Sequence, residues 1–174
     1  MEACFTDFDV TLHDGRHLRV RAMTEAFHAK ILQAFAHMSA DARYMRFMRQ
    51  VREVDEDRLR RTLASFPAQG FGIVATIPAV DGFDIVGSAI LVIGNNPSTC
   101  EFAMTILPEY GKAGLGRTLL SALVDTAKRR GLEEMEGFVL AMNQPMLKLA
   151  TRLGFSIAHD PDDGTVRICR LSLG

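Results

Sequence analysis

Apolar and polar residues alternate along this chain with two different spacings, and the switches between them mark out its elements. Phe8-Asp9-Val10-Thr11-Leu12 and Leu18-Arg19-Val20 flank Asp14-Gly15, a pair suited to tight turns because both residues tolerate positive φ. They read as a first hairpin or a bent strand. Beyond Thr24, placed to cap a helix, Phe27, Ile31, Ala34, Phe35 and Met38 recur at helical spacing. A second helix is expected after Asp55, with Leu59, Leu63 and Phe66 on its apolar side. The segments Phe71 to Ile77, Ile85 to Ile93 and Thr99 to Leu107 are rich in β-branched and apolar residues, and Gly, Pro or Asn separates them. They predict three consecutive strands, with Asp81-Gly82 at the first turn.

Helical spacing returns at Leu115, Leu119, Leu120, Leu123, Val124 and Ala127, and Lys128-Arg129-Arg130-Gly131 supplies cations and a stop at the end of that helix. A short strand from Met135 to Met142 follows. The next helix carries Pro145 in its first turn and Met146, Leu149, Ala150 and Leu153 on one side, and it ends at Gly154. Phe155 to Ala158 and Val166 to Leu173 form a last strand pair around Asp160-Pro161-Asp162-Asp163-Gly164. This order implies an α/β (α+β) fold, a mixed sheet flanked by helices.

With 174 residues and no Pro/Gly/Ser-rich linker or internal repeat, the chain reads as one domain over 1–174. A net charge of −1 with 24% charged residues gives no excess for a polyanion, so nucleic acid is not an expected partner. The longest apolar run, near Ile85 to Ile93, falls far short of the ~20 residues of a membrane span. Glu2, Asp7 and Asp9 sit where a signal peptide would be basic, so a cytoplasmic location is expected. Cys4, Cys100 and Cys169 lack CxxC spacing and read as reduced structural thiols. The histidines include no HExxH, and His13 and His17 flank the first turn as solvated residues. No metal is expected.

Candidate chemistry concentrates between a strand and a helix, in Leu107-Pro108-Glu109-Tyr110-Gly111-Lys112-Ala113-Gly114-Leu115-Gly116-Arg117. A helix start leaves about four backbone N–H groups without internal partners and carries partial positive charge, so a pyrophosphate finds several donors there. Gly114 and Gly116 permit close backbone approach, and Lys112 and Arg117 add full charges. A purely structural tight turn would use the same glycines. The Walker lysine–hydroxyl pair is absent, and Leu119 breaks the dinucleotide glycine pattern.

This segment resembles the acyl-CoA loop of the GNAT acetyltransferase superfamily, Gln/Arg-x-x-Gly-x-Gly/Ala after a strand ending near a Pro. Gly111-Lys112-Ala113-Gly114-Leu115-Gly116 matches its last part, and Arg130-Gly131-Leu132, Asn143 and Leu153-Gly154-Phe155 follow in the family's order. The likeness runs from about Val20 to Leu173. It implies the GNAT fold, a mostly antiparallel mixed central sheet, with acetyl-CoA as co-substrate. It further implies that the backbone of Met104, Thr105 and Ile106 runs beside the pantetheine arm. The amides of Lys112, Ala113, Gly114, Leu115, Gly116 and Arg117 would hold the pyrophosphate. Asn143 falls at the family's polar cofactor contact, while its plain role is a helix N-cap. Gly111 departs from the usual Gln/Arg and removes one side-chain donor.

An alkylammonium of pKa ~10.4 must lose a proton before attacking a thioester, and a carboxylate base is the usual help. Glu101 opens the strand just upstream of the loop, which makes it the candidate catalytic base or, alternatively, a solvated strand-end charge. Bacterial protein-lysine acetyltransferases of the resembled family carry a Glu-x-Ala motif on that strand, matched by Glu101-Phe102-Ala103. Their Tyr-x-Arg-Phe segment is matched by Tyr44-Met45-Arg46-Phe47, where Tyr44 and Phe47 also read as core and Arg43 and Arg46 as solvated. The family's general-acid Tyr, seven residues beyond the Asn, is Ala150 here. Tyr110 reads as a packing residue at the helix entrance. The resemblance thus implies acetyl transfer to a primary amine, a protein lysine or a small cationic amine, while a non-catalytic acyl-CoA-binding sensor or interaction domain stays open. A sheet edge or the final strands offer a surface for a homodimer.

Overall fold

A computed structural model describes residues 5–48 and 53–174, so Cys4 lies outside the described residues. Strands β1 (Phe8–Thr11) and β2 (His17–Ala22) form the expected hairpin, closed by Leu12 N–H to Arg16 C=O at 2.8 Å, with Gly15 at φ +90°. A 3₁₀ turn, Glu25–Phe27, leads into α1 (His28–Ala36). Thr24 precedes that turn in extended conformation but makes no side-chain cap bond, and Met38 falls beyond the helix. Next come α2 (Ala40–Phe47) and α3 (Glu56–Ser65), capped by Ser39 accepting from Ala42 N–H and by Asp55 accepting from Arg58 N–H. Phe66 is the C-cap of α3 and lies outside its helical turns.

Three long strands follow, β3 (Gly70–Ala79), β4 (Gly82–Ile93) and β5 (Thr99–Ile106), then α4 (Leu115–Arg129), β6 (Glu134–Leu140), α5 (Gln144–Arg152), β7 (Ser156–His159) and β8 (Val166–Ser172). The eight strands make one sheet in the order β1-β2-β3-β4-β5-β6-β8-β7. Every pairing is antiparallel except β5 with β6, which are parallel because α4 is a crossover between them.

Both faces of the sheet are covered. Leu115, Leu119, Leu120, Leu123 and Ala127 of α4 are fully buried and pack with Val20, Ile73, Ala89, Leu91 and Met135 on one side. Leu63 of α3, with Phe27, Ile31 and Ala34, covers Val74 and Ile85 on the other. Strand β3 therefore reads as a continuous apolar run, because consecutive residues such as Ile73 and Val74 point into opposite cores. Burying each such side chain contributes roughly 1.5–3 kcal/mol, so the central strands form a firm platform for whatever their ends carry.

Candidate functional site

The loop between β5 and α4 has an unusual hydrogen-bond inventory. Tyr110 N–H donates to Leu107, Gly111 to Pro108 and Thr118 to Gly114, but among the described residues the amides of 112–117 make no backbone hydrogen bond of good geometry, only the weak contacts of a turn over 111–114. Gly114, the N-cap of α4, sits at φ +94°, and Lys112 is left-handed at φ +60°. Two left-handed residues within three turn successive amides toward one side, the arrangement that makes an anion-binding concavity. Lys112 and Arg117 are exposed beside these amides, whereas Leu115 is fully buried and can contribute only its backbone.

The two glycines of the loop have different reasons. A Cβ on Gly114 would lie 2.8 Å from Nε2 of His13, whose own amide donates to the Ala113 carbonyl at 3.1 Å. The β1–β2 turn is thus clamped onto the loop, and Arg16 reinforces it by lying 4.2 Å from the centroid of Tyr110. Tyr110 is the packing residue expected, but His13 is not simply a solvated turn residue. A Cβ on Gly116 would meet Leu149 Cδ2 at 3.0 Å and Ile106 Cδ1 at 3.2 Å. Gly116 is therefore small so that α4 can pack against α5 and β5.

Strands β5 and β6 pair only from Thr99↔Glu134 to Glu101↔Glu136 and then part, while β5 stays paired with β4 through Ile106. Beyond Glu101 the β6-facing edge of β5, which includes Met104, Thr105 and Ile106, has no partner strand among the described residues. The Phe102 ring occupies the crotch of this fork. It would overlap any Cβ on Gly137 of β6, and it meets Phe155 edge-on at 5.3 Å.

Glu101 sits on the last paired rung. Although it is exposed by area, protein atoms crowd one side of it, and this desolvation is the largest influence pushing its carboxyl above the ordinary carboxylate value. Glu136 pushes in the same direction, whereas Arg46 of α2 and Arg58 of α3 pull back. Helix α2 packs against β5, which is how Arg46 comes to face Glu101. Burial holds the Arg46 guanidinium below its ordinary value, with Glu101 opposing. Arg43 donates to the Phe35 and Ala36 carbonyls at 3.1 and 3.4 Å, and Phe47 meets Phe35 edge-on at 5.9 Å. Neither arginine is merely solvated, and Tyr44 is exposed rather than core.

Asn143 is the N-cap of α5, accepting from Met146 N–H at 3.4 Å. Ala150 is fully buried, and its methyl group has no proton to give. Glu136, Arg58 and the contact of His13 with the loop were not legible in the sequence, because each arises from strand register or helix placement. The helix carrying Arg46 did leave a signal: Ser39 with Asp41 in the first turn is an N-terminal capping pattern. No described helix is long and apolar enough to cross a membrane, and no group of metal-ligating side chains occurs among the described residues.

Comparison with known proteins places this geometry in a recognised context. The family model described as acetyltransferase (GNAT) domain matches residues 17–156. An acetyltransferase of Pseudomonas aeruginosa is 31% identical over 163 residues, 94% of this chain and 88% of its own length. Acetyltransferase Pat of Mycolicibacterium smegmatis is 27% identical over 154 residues, 88% of this chain and 46% of that longer protein. Among solved structures, the GNAT domain of S. lividans PAT superposes with a TM-score of 0.84 at 19% identity, covering 96% of this chain and 97% of that one. The structure of yncA, a putative acetyltransferase from Salmonella typhimurium with its cofactor acetyl-CoA, has a TM-score of 0.70 at 24% identity, covering 90% of this chain and 94% of that one. These two superpositions establish the shared fold.

Proposed function

Because the chain belongs to the GNAT acetyltransferase family, we propose that it moves the acetyl group of acetyl-CoA onto a primary amine, either a protein lysine or a small cationic amine. The observation that carries this reading is the run of amides over residues 112–117 that make no backbone hydrogen bond of good geometry, beside Lys112 and Arg117. A diphosphate supplies the acceptor oxygens and negative charge such a site lacks. The unpaired edge of β5 at Met104, Thr105 and Ile106 offers backbone donors and acceptors to the amide-bearing pantetheine arm, much as an added strand would use them. Asn143, at the start of α5, adds a polar side chain at the opposite wall of the fork while keeping its capping role.

Glu101 is the base in this reading. Its raised carboxyl is better matched to an ammonium proton than an ordinary carboxylate, and it stands on the rung where β5 and β6 begin to part. The amine nitrogen forms a bond to the thioester carbonyl carbon as the carbon–sulfur bond breaks. Glu101 takes the nitrogen's proton, directly or through water. With Ala150 at the position of the family's tyrosine, the departing thiolate takes its proton from solvent, which a thiol of pKa ~8.5 permits.

Buried Ala150 also keeps a second reading in play, a domain that binds acyl-CoA without turning it over. One experiment separates the two: titrate acetyl-CoA calorimetrically, then follow free thiol release and acetylated product across a panel of amines and lysine-bearing peptides. Binding with amine-dependent thiol release supports the transferase. Binding without release from any acceptor supports the sensor, and no binding removes both.

A further inference from the structure

Four strands align their residues into a row across the sheet: Val92 of β4 opposite Glu101, Glu101 opposite Glu136 of β6, and Glu136 opposite Arg170 of β8. Residues in register on adjacent strands project from the same face, so the two carboxylates are direct lateral neighbours on the last paired rung of β5 and β6. Like charges placed so are destabilising unless something uses or neutralises them. Among the described residues only Glu136 has a direct ion-pair partner: Arg170 Nε donates to Glu136 Oε2 at 2.8 Å, whereas Arg46 and Arg58 act on Glu101 without closing to an ion pair. The Glu136 side chain is 28% exposed and that of Arg170 is 48% exposed, so the pair lies partly sheltered along the sheet.

We propose that Glu136 and Arg170 are positioning residues that set the basicity of Glu101, Glu136 raising it through its negative charge and Arg170 limiting that effect by pairing with Glu136. The proposal rests on the reading of Glu101 as the acyl-transfer base. The described charged groups that act on Glu101 are Arg46 from α2, Arg58 from α3 and Glu136 from β6; Val92 on the β4 side is neutral. Glu134, two residues before Glu136 on β6, acts on Arg170. Two arginines from the helices favour a charged, weakly basic Glu101, and Glu136 is the neighbouring charge that opposes them. Without Glu136, Glu101 would hold its charge at lower pH and accept a proton less readily. Without Arg170, Glu136 would act at full strength.

Substitution therefore gives shifts of opposite sign. Measure kcat/KM for a good amine acceptor against pH in the native protein and in the Glu101→Gln, Glu136→Gln, Arg170→Gln and Arg170→Lys variants, with each folded state checked by thermal unfolding. Glu136→Gln moves the acidic limb to lower pH and Arg170→Gln moves it to higher pH, each by about half to one unit, while Arg170→Lys keeps the charge and leaves the limb near its native position. A purely structural role for the pair lowers the plateau and leaves both limbs unmoved, which overturns the proposal. Shifts of the same sign overturn it equally. If Glu101→Gln retains the native limb and rate, the base assignment itself is wrong, an outcome distinct from unmoved limbs in the neighbours' variants.

Discussion

The imidazole of His13 rests on Gly114, so close that a Cβ there would come within 2.8 Å of Nε2. Two constraints therefore fall on one glycine, a left-handed φ of +94° and a side chain from another element. Gly114→Ala should lose roughly 1–3 kcal/mol of stability and weaken acetyl-CoA binding, because strain and displacement both disturb the amides of residues 112–117. Adding His13→Ala relieves the contact but not the φ strain, so the double variant should recover only part of the loss. Denaturant unfolding of the three variants checks this, and full additivity of the two changes would show that the residues do not interact.

Gly137 keeps the fork between β5 and β6 filled correctly by admitting the Phe102 ring. Gly137→Ala should cost about 1–3 kcal/mol in unfolding experiments, since the ring must leave its place against Phe155 or the strands must shift. Shortening the ring in the Gly137→Ala, Phe102→Leu double variant should restore part of that loss. A stability unchanged by Gly137→Ala alone would contradict the packing.

Burial pushes the thiols of Cys100 and Cys169 up to about 11, and both are nearly or fully inaccessible. A thiol-specific chromogenic reagent at pH 7–8 should leave these two unmodified in the native protein and label them on unfolding, because the thiolate is the reactive form. Mass spectrometry of the labelled peptides gives the answer. Rapid native labelling of either cysteine would mean that its strand opens readily.

The element pattern is largely readable because most helices and strands present apolar faces: Leu115 to Ala127 for α4, a nearly continuous buried run for β3, and segments rich in apolar and β-branched residues for β4 and β5. Helix α2 is hard to read because it is short, none of its side chains is fully buried, and Asp41, Arg43 and Arg46 interrupt its apolar positions. Thr24 does not cap α1, since the chain enters that helix through a 3₁₀ turn in which the Thr24 side chain makes no capping bond. The position of the loop and of Glu101 could be read from strand order. Their neighbours could not, since the pairing of Glu101 with Glu136 depends on the register of a parallel crossover, and His13 reaches Gly114 from a hairpin about 100 residues earlier in the chain.

The account turns on acetyl transfer with Glu101 as base, and the most direct measurement is the turnover of Glu101→Gln beside the native protein, with acetyl-CoA affinity measured on the same samples. Desolvation and Glu136 hold the Glu101 carboxyl above its ordinary value, so the native rate should fall as pH drops through that raised value and recover as pH rises. The Gln variant should bind acetyl-CoA almost unchanged and turn over about 10²- to 10⁴-fold more slowly at neutral pH, closing part of the gap at high pH where free amine and hydroxide replace the base. Equal rates for the two proteins at pH 7 would contradict it, leaving Glu101 as a charge at the last paired rung of the sheet.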